Sequence, residues 1–166
     1  TSTAPAFSGN DSGSTPIASL PSGTVDTRGN AGNPGSDATC DTLTGGAGAD
    51  VFELSVAGSQ STATTDSATT IITDFSTADG DTLKIGSLGA GSGTAYKEDG
   101  ATYNSLSALL SAADAALDGT VKYVAAMFNG DTYIVADSTG GGHSAIVQLQ
   151  GVSLDLLDDN GSFITA

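Results

Sequence analysis

The sequence predicts a mainly β protein: a short, turn-dense β-roll or β-solenoid module, then a β-sheet and hairpin region with one amphipathic helix. Three observations carry this expectation. Residues 36–53 divide into two nine-residue units, SDATCDTLT and GGAGADVFE, with Asp41 and Asp50 at the sixth position of each and Leu43 and Phe52 at the eighth. Asn129-Gly130 separates two runs of β-branched and aromatic residues, which is the strongest short-range hairpin signal. Leu106, Leu109, Leu110, Ala113 and Leu117 share one face of a helix over 104–118.

Composition narrows the function classes. A chain of 166 residues suits one domain with a real core, and 23 glycines with no tryptophan point to a turn-rich β protein. The formal charge of −15, with Arg28, Lys84, Lys97 and Lys122 the only basic residues besides His143, argues against nucleic acid, whose counterions Lys and Arg must displace. It equally disfavours an anionic membrane surface. No run of about 18 apolar residues is present, so no transmembrane segment is expected. Seventeen of the 19 acids are Asp and only Glu53 and Glu98 are Glu, a bias toward loops, turns and cation ligands rather than solubility alone. Bound calcium would also relieve the self-repulsion of so acidic a chain.

The second repeat unit fits the G-G-x-G-x-D-x-U-x pattern of calcium-binding β-helix repeats, U being a large apolar residue. A hard cation takes six to eight oxygen ligands at about 2.3–2.6 Å, so a short loop must turn its own carbonyls inward. Gly45, Gly46 and Gly48 permit the crowded conformations this requires, and Asp50 supplies charge. Val51 to Leu54 then runs on as a strand with Phe52 and Leu54 on its buried face. Without metal, the same residues make a glycine-rich turn before a strand.

Residues 36–86 resemble the C-terminal end of RTX proteins, in which the last β-roll turns pass into a D-x-I-x-D-F-x-x-x-x-D-x-I-x-L type of segment. Ile72, Asp74, Phe75, Asp81, Leu83 and Ile85 stand at matching places. Related segments close serralysin-type exoproteins and calcium-dependent S-layer proteins of Gram-negative bacteria. The likeness implies bound Ca²⁺, with Asp41, Gly45, Gly46, Gly48, Asp50, Asp74, Asp79 and Asp81 as the candidate set. Asp74, Asp79 and Asp81 also read as ordinary turn aspartates. The unit at 36–44 lacks its glycines and the one before it has no aspartate at position six, so one to three sites are expected rather than a long stacked roll.

Element by element, residues 1–33 are small, polar and broken by Pro5, Pro16 and Pro21, which reads as a flexible linker. Phe7, Ile17 and Leu20 admit a second reading, an extended arm that adds a strand to a neighbour. The calcium-binding β domain is placed at 34–166. Cys40 reads as a small buried hydrophobe, with intermolecular pairing the other option. Residues 55–69 form a long loop, 71–75 a strand, Asp79-Gly80-Asp81 a tight turn, and 82–85 the partner strand. Tyr96 and Tyr103 flank a turn at Glu98-Asp99-Gly100. Asn104 or Ser105 caps the helix and Gly119 ends it. The hairpin and sheet strands occupy 121–157: arms at 121–128 and 131–136, a strand at 145–150 and an apolar run at 154–157. The segment 158–166, acids before small and apolar residues, resembles the uncleaved C-terminal signal of type I secretion substrates. Thr1 in place of Met, with no signal-peptide pattern, reads as a processed chain or part of a longer one.

No enzyme is expected. The one histidine, His143, lies in a GGGHS loop too pliant for a catalytic base and reads as a solvated loop residue. Zinc-protease, nucleophile-elbow and phosphate-loop motifs are missing. The resemblance implies an extracellular, Gram-negative-type setting, secreted or at the cell surface. The function expected is a calcium-binding structural subunit that assembles with copies of itself as an S-layer, filament or matrix component, with cell-surface polysaccharide as a further partner. The alternative is the calcium-folding secretion module of a larger exoprotein, a protease or adhesin.

Overall fold

The computed structural model describes residues 24–26, 42–54, 69–137 and 142–166. They form a mainly β protein with one helix. The strands are β1 (Thr24–Asp26), β2 (Thr42–Leu43), β3 (Val51–Leu54), β4 (Thr69–Ile72), β5 (Thr82–Ile85), β6 (Tyr96–Asp99), β7 (Tyr123–Phe128), β8 (Asp131–Ala136), β9 (Ala145–Leu149) and β10 (Ile164–Thr165). The helix α1 (Leu106–Ala116) lies between β6 and β7.

From β1 to β6, and again from β9 to β10, each strand lies in a different sheet from the one before it. One sheet runs β1-β3-β5-β10 with every pairing parallel; the other runs β2-β4-β9-β8-β7-β6 and is mixed. Three two-strand layers therefore stack: β2 with β3, β4 with β5, and β9 with β10. The excursion β6-α1-β7-β8 interrupts the stack between its second and third layers. This corrects the expectation that 82–85 pairs with 71–75. β4 and β5 are successive sides of one layer, because the nine residues 73–81 turn the chain from one sheet to the other instead of folding it back. The strand itself begins earlier than expected, at Thr69, and Phe75 is buried in the turn that follows.

Two cores result. Between the sheets lie Phe52, Ile72, Leu83, Ile85, Tyr123, Ile134, Val147 and Leu149, with Phe75, Tyr96 and Phe163 packed ring against ring. On the outer face of the mixed sheet, Leu109, Leu110, Ala113 and Leu117 of the helical segment cover Val124, Ala126, Val135 and Ile146. The strict alternation of β7, with Tyr123 and Ala125 to one core and Val124 and Ala126 to the other, follows from the period of two in a strand. Ser105 caps α1 through the Ala108 amide at 3.2 Å. Asn129 (φ 55°) and Gly130 (φ 92°) make the tight β7–β8 turn, whose left-handed backbone suits the Asn-Gly pair.

The strands of the 121–128 and 145–150 segments are interior ones, since β6 and β4 pair alongside them. Three further expectations change. Residues 96–99 are a strand, which takes in Glu98 and Asp99 of the turn expected at 98–100. The 154–157 run is a short 3-10 turn, Leu154–Leu156. His143 is buried and sits 2.7 Å from the Asp114 carboxylate on α1, so it joins the β8–β9 connection to the helix rather than facing solvent. Cys40, Asp41 and the proposed arm, apart from β1, lie outside the described residues.

Candidate cation-binding loop

Strand register brings two loops together. β2 pairs with β4 so that Leu43 faces Ile72, and β3 with β5 so that Val51 faces Thr82. The loop of residues 44–50 is thereby laid beside the loop of residues 73–81. Thr44 and Thr73 share a hydroxyl hydrogen bond of 2.7 Å at one end of the pair. At the other end the Thr82 amide donates to the Asp50 carbonyl at 2.9 Å.

Carboxylates of the second loop hold the amides of the first. The Gly45 and Gly46 N–H groups donate to Asp74 Oδ1 and Oδ2 at 2.9 and 2.8 Å. The Asp50 N–H donates to Asp81 Oδ1 at 2.9 Å, and Ser76 N–H to Asp81 Oδ2 at the same distance. Positive φ at Gly46 (99°) and Gly48 (101°) lets the chain turn this tightly. Asp79 is exposed at the tip of the second loop, and its own N–H donates to the Ser76 carbonyl and hydroxyl, both at 3.2 Å.

Asp50 is different. Only 4 % exposed, it keeps its Oδ2 free of any hydrogen-bond partner. The carboxylate lies over Gly45 so closely that a Cβ there would stand 2.6 Å from Oδ2. A buried polar atom without a partner is costly, by about 1–3 kcal/mol, and more for a charge. Burial raises the Asp50 pKa above its ordinary value, and the charges of Asp81 and Asp74 raise it further. The folded chain therefore holds this proton to higher pH than the unfolded chain does. Without a bound cation, that contribution strengthens folding as pH falls through the raised pKa and is lost as pH rises through it. Asp99, held low by Tyr103, works the opposite way, so the Asp50 component is read as the difference between the wild type and Asp50→Asn.

Gly45, Gly46, Gly48 and Asp50 thus lie on one loop and Asp74 and Asp81 on the loop beside it, the last two accepting backbone amides and Asp50 carrying the unpartnered oxygen. No group of three or more His, Cys, Asp or Glu side chains converges on a metal-sized point among the described residues. The donors suited to a hard cation are the Asp50 carboxylate and the backbone carbonyls of its glycine loop, and their chemistry fits Ca²⁺. Sequence reading missed the Thr44–Thr73 ladder. Its signal was present: Leu43-Thr44 ahead of Asp50-Val51-Phe52 parallels Ile72-Thr73 ahead of Asp81-Thr82-Leu83, with two extra residues in between. No family model, curated protein or solved structure matches the chain.

Proposed function

We propose that the protein is an extracellular calcium-binding structural subunit built on a short β-roll, in which a cation at the 44–50 loop completes folding. The unpartnered, buried Asp50 oxygen is the observation that carries this reading. Asp50 would supply the charge and the loop carbonyls the remaining oxygens, with Asp41 a candidate from the preceding repeat. A bound Ca²⁺ would neutralise repulsion among Asp50, Asp74 and Asp81, so its binding free energy would add to folding free energy. The alternation of parallel strands between two sheets supports the roll.

The expected result is a clear rise in melting temperature with millimolar Ca²⁺ over chelator, and little with Mg²⁺, whose small octahedral shell suits a carbonyl-rich loop poorly. Asp50→Asn should raise the melting temperature in chelator at neutral pH, by removing a buried charge, and abolish most of the calcium rise. It should also remove the gain in stability on mild acidification worked out above. Identical wild-type melting curves in chelator and in calcium would reject the reading.

The ends of the stack bear on assembly. Among the described residues nothing pairs with the outer edges of β1 and β2. At the other end, the Gly91 N–H donates to the Ile164 carbonyl at 3.0 Å and closes β10. The free edge of β6 carries Lys97, Glu98 and Asp99, charges that discourage strand addition. An end left unpaired among the described residues would suit addition of a parallel layer there, from a copy of the same chain in an S-layer, filament or matrix. It equally favours the second reading, a module that terminates a longer calcium-binding exoprotein. Electron microscopy and light scattering in calcium separate the two: assemblies that are lost on removing residues 1–20, which leaves β1 intact, support the subunit with an assembling arm. A strict monomer supports the module.

A further inference from the structure

We infer that Asp74 and Asp81 are positioning residues for the calcium loop and not calcium ligands, so that the loop is built in its binding shape before any ion arrives. The inference rests on the calcium reading above. It starts from a division of labour among three neighbouring carboxylates. Each oxygen of Asp74 and Asp81 accepts a backbone amide at 2.8–2.9 Å. Three of these four amides, those of Gly45, Gly46 and Asp50, belong to the 44–50 loop and bracket it at both ends. Asp50 Oδ2, buried and without a hydrogen-bond partner, is the side-chain acceptor left over within that bracket.

The arrangement has a chemical logic. A glycine-rich loop loses more conformational freedom on ordering than any other kind, and an ion that had to order it would bind correspondingly weakly. Charge-assisted amide bonds from the adjacent layer order the loop in advance. Asp81 does this twice over, since it also fixes Ser76 in its own loop. Asp74 does it at the half-exposed end, where Gly46 meets solvent. A carboxamide cannot replace either residue, because its NH₂ is a donor and would face a backbone N–H.

Outer-layer partners of this kind typically set metal affinity by about 10–100-fold without changing the ligand count. Calorimetric titration of Ca²⁺ into the full chain and into Asp74→Asn and Asp81→Asn is therefore expected to show unchanged stoichiometry with a dissociation constant weakened by about that factor. Both variants should also melt lower in chelator. Asp79→Asn is the control: it removes the same charge from the same loop but breaks no amide bond, and both readouts should stay at wild-type values. Loss of a bound ion at saturating Ca²⁺ in either variant would make that residue a ligand and overturn the inference, as would an unchanged dissociation constant and melting curve. Equal weakening by Asp79→Asn would reduce the effect to net charge and overturn it too. Absence of binding by the wild type would be a failure of the calcium reading itself, and the melting curves in chelator would still show whether the two carboxylates brace the loop. Should Asp81→Asn not fold, Asp74→Asn carries the test.

Discussion

A chain ending at residue 157 is expected to lose cooperative unfolding altogether. The nine residues 158–166 hold β10 in the all-parallel sheet, with Phe163 4 % and Ile164 1 % exposed. Phe163 packs its ring 5.9 Å from Phe75 and 5.6 Å from Tyr96, joining the turn after β4 to the start of β6. Removing the segment exposes the core between the sheets and orphans the Leu83 and Gly91 amides, which donate to the Phe163 and Ile164 carbonyls at 2.8 and 3.0 Å. Two large apolar side chains at about 1.5–3 kcal/mol each, with two buried amides at about 1–3 kcal/mol each, approach the whole stability of about 5–15 kcal/mol of a small domain. Phe163→Ala alone should cost about 3–5 kcal/mol. Denaturant unfolding followed by near-UV dichroism checks both; a truncated chain that still melts in one sharp transition would remove β10 from the core. A secretion signal in 158–166, as the RTX resemblance implies, would then lose Phe163 and Ile164 to the core on folding, so any recognition of those two side chains would have to precede it.

The second large effect is expected at Gly45. Its Cβ would lie 2.6 Å from Asp50 Oδ2 and 2.9 Å from both Asp50 Cγ and Phe52 Cζ, distances that real side chains do not tolerate. The φ of Gly45 is not in the left-handed region, so backbone strain is not the cause; the clash is purely one of space. Gly45→Ala must displace either the carboxylate or the Phe52 ring, at an overpacking cost of about 1–3 kcal/mol in chelator. If the carboxylate moves, the calcium response goes with it. We expect the variant to melt several degrees lower and to gain little from Ca²⁺, whereas Gly100→Ala, with open space around its Cβ, should match the wild type. A Gly45→Ala protein with an intact calcium response would place the cation elsewhere.

How far the sequence revealed this depended on whether a signal was local. The β3 strand, the β5 strand, the Asn129-Gly130 turn and the capped leucine stripe of α1 are local patterns, and each lies where it was expected. Pairing partners were not legible, because Ile71 and Leu83 are equally suited to a hairpin or to two sides of one layer. β6 was hidden by Lys97, Glu98 and Asp99, whose charges mark an edge but read as a turn. β10 was hidden by its length of two residues. Within the candidate site, Asp50 stood out from the repeat pattern, but the roles of Asp74 and Asp81 needed the register of β3 on β5. His143 was misread because a glycine-rich flank says nothing about Asp114, 29 positions earlier on another element.

The excursion β6-α1-β7-β8, set between the second and third layers, has a kinetic consequence. Thr165 reaches across 82 positions to hydrogen-bond to the carbonyl of Leu83, so the last layer closes a very long loop. The β7–β8 hairpin and α1 can form early from near neighbours, whereas β9 and β10 must find β4 and β5 through a chain still exploring many shapes. Folding rates fall as such distant contacts dominate. The protein is therefore expected to fold slowly, with the pairing of β10 on β5 among its late steps.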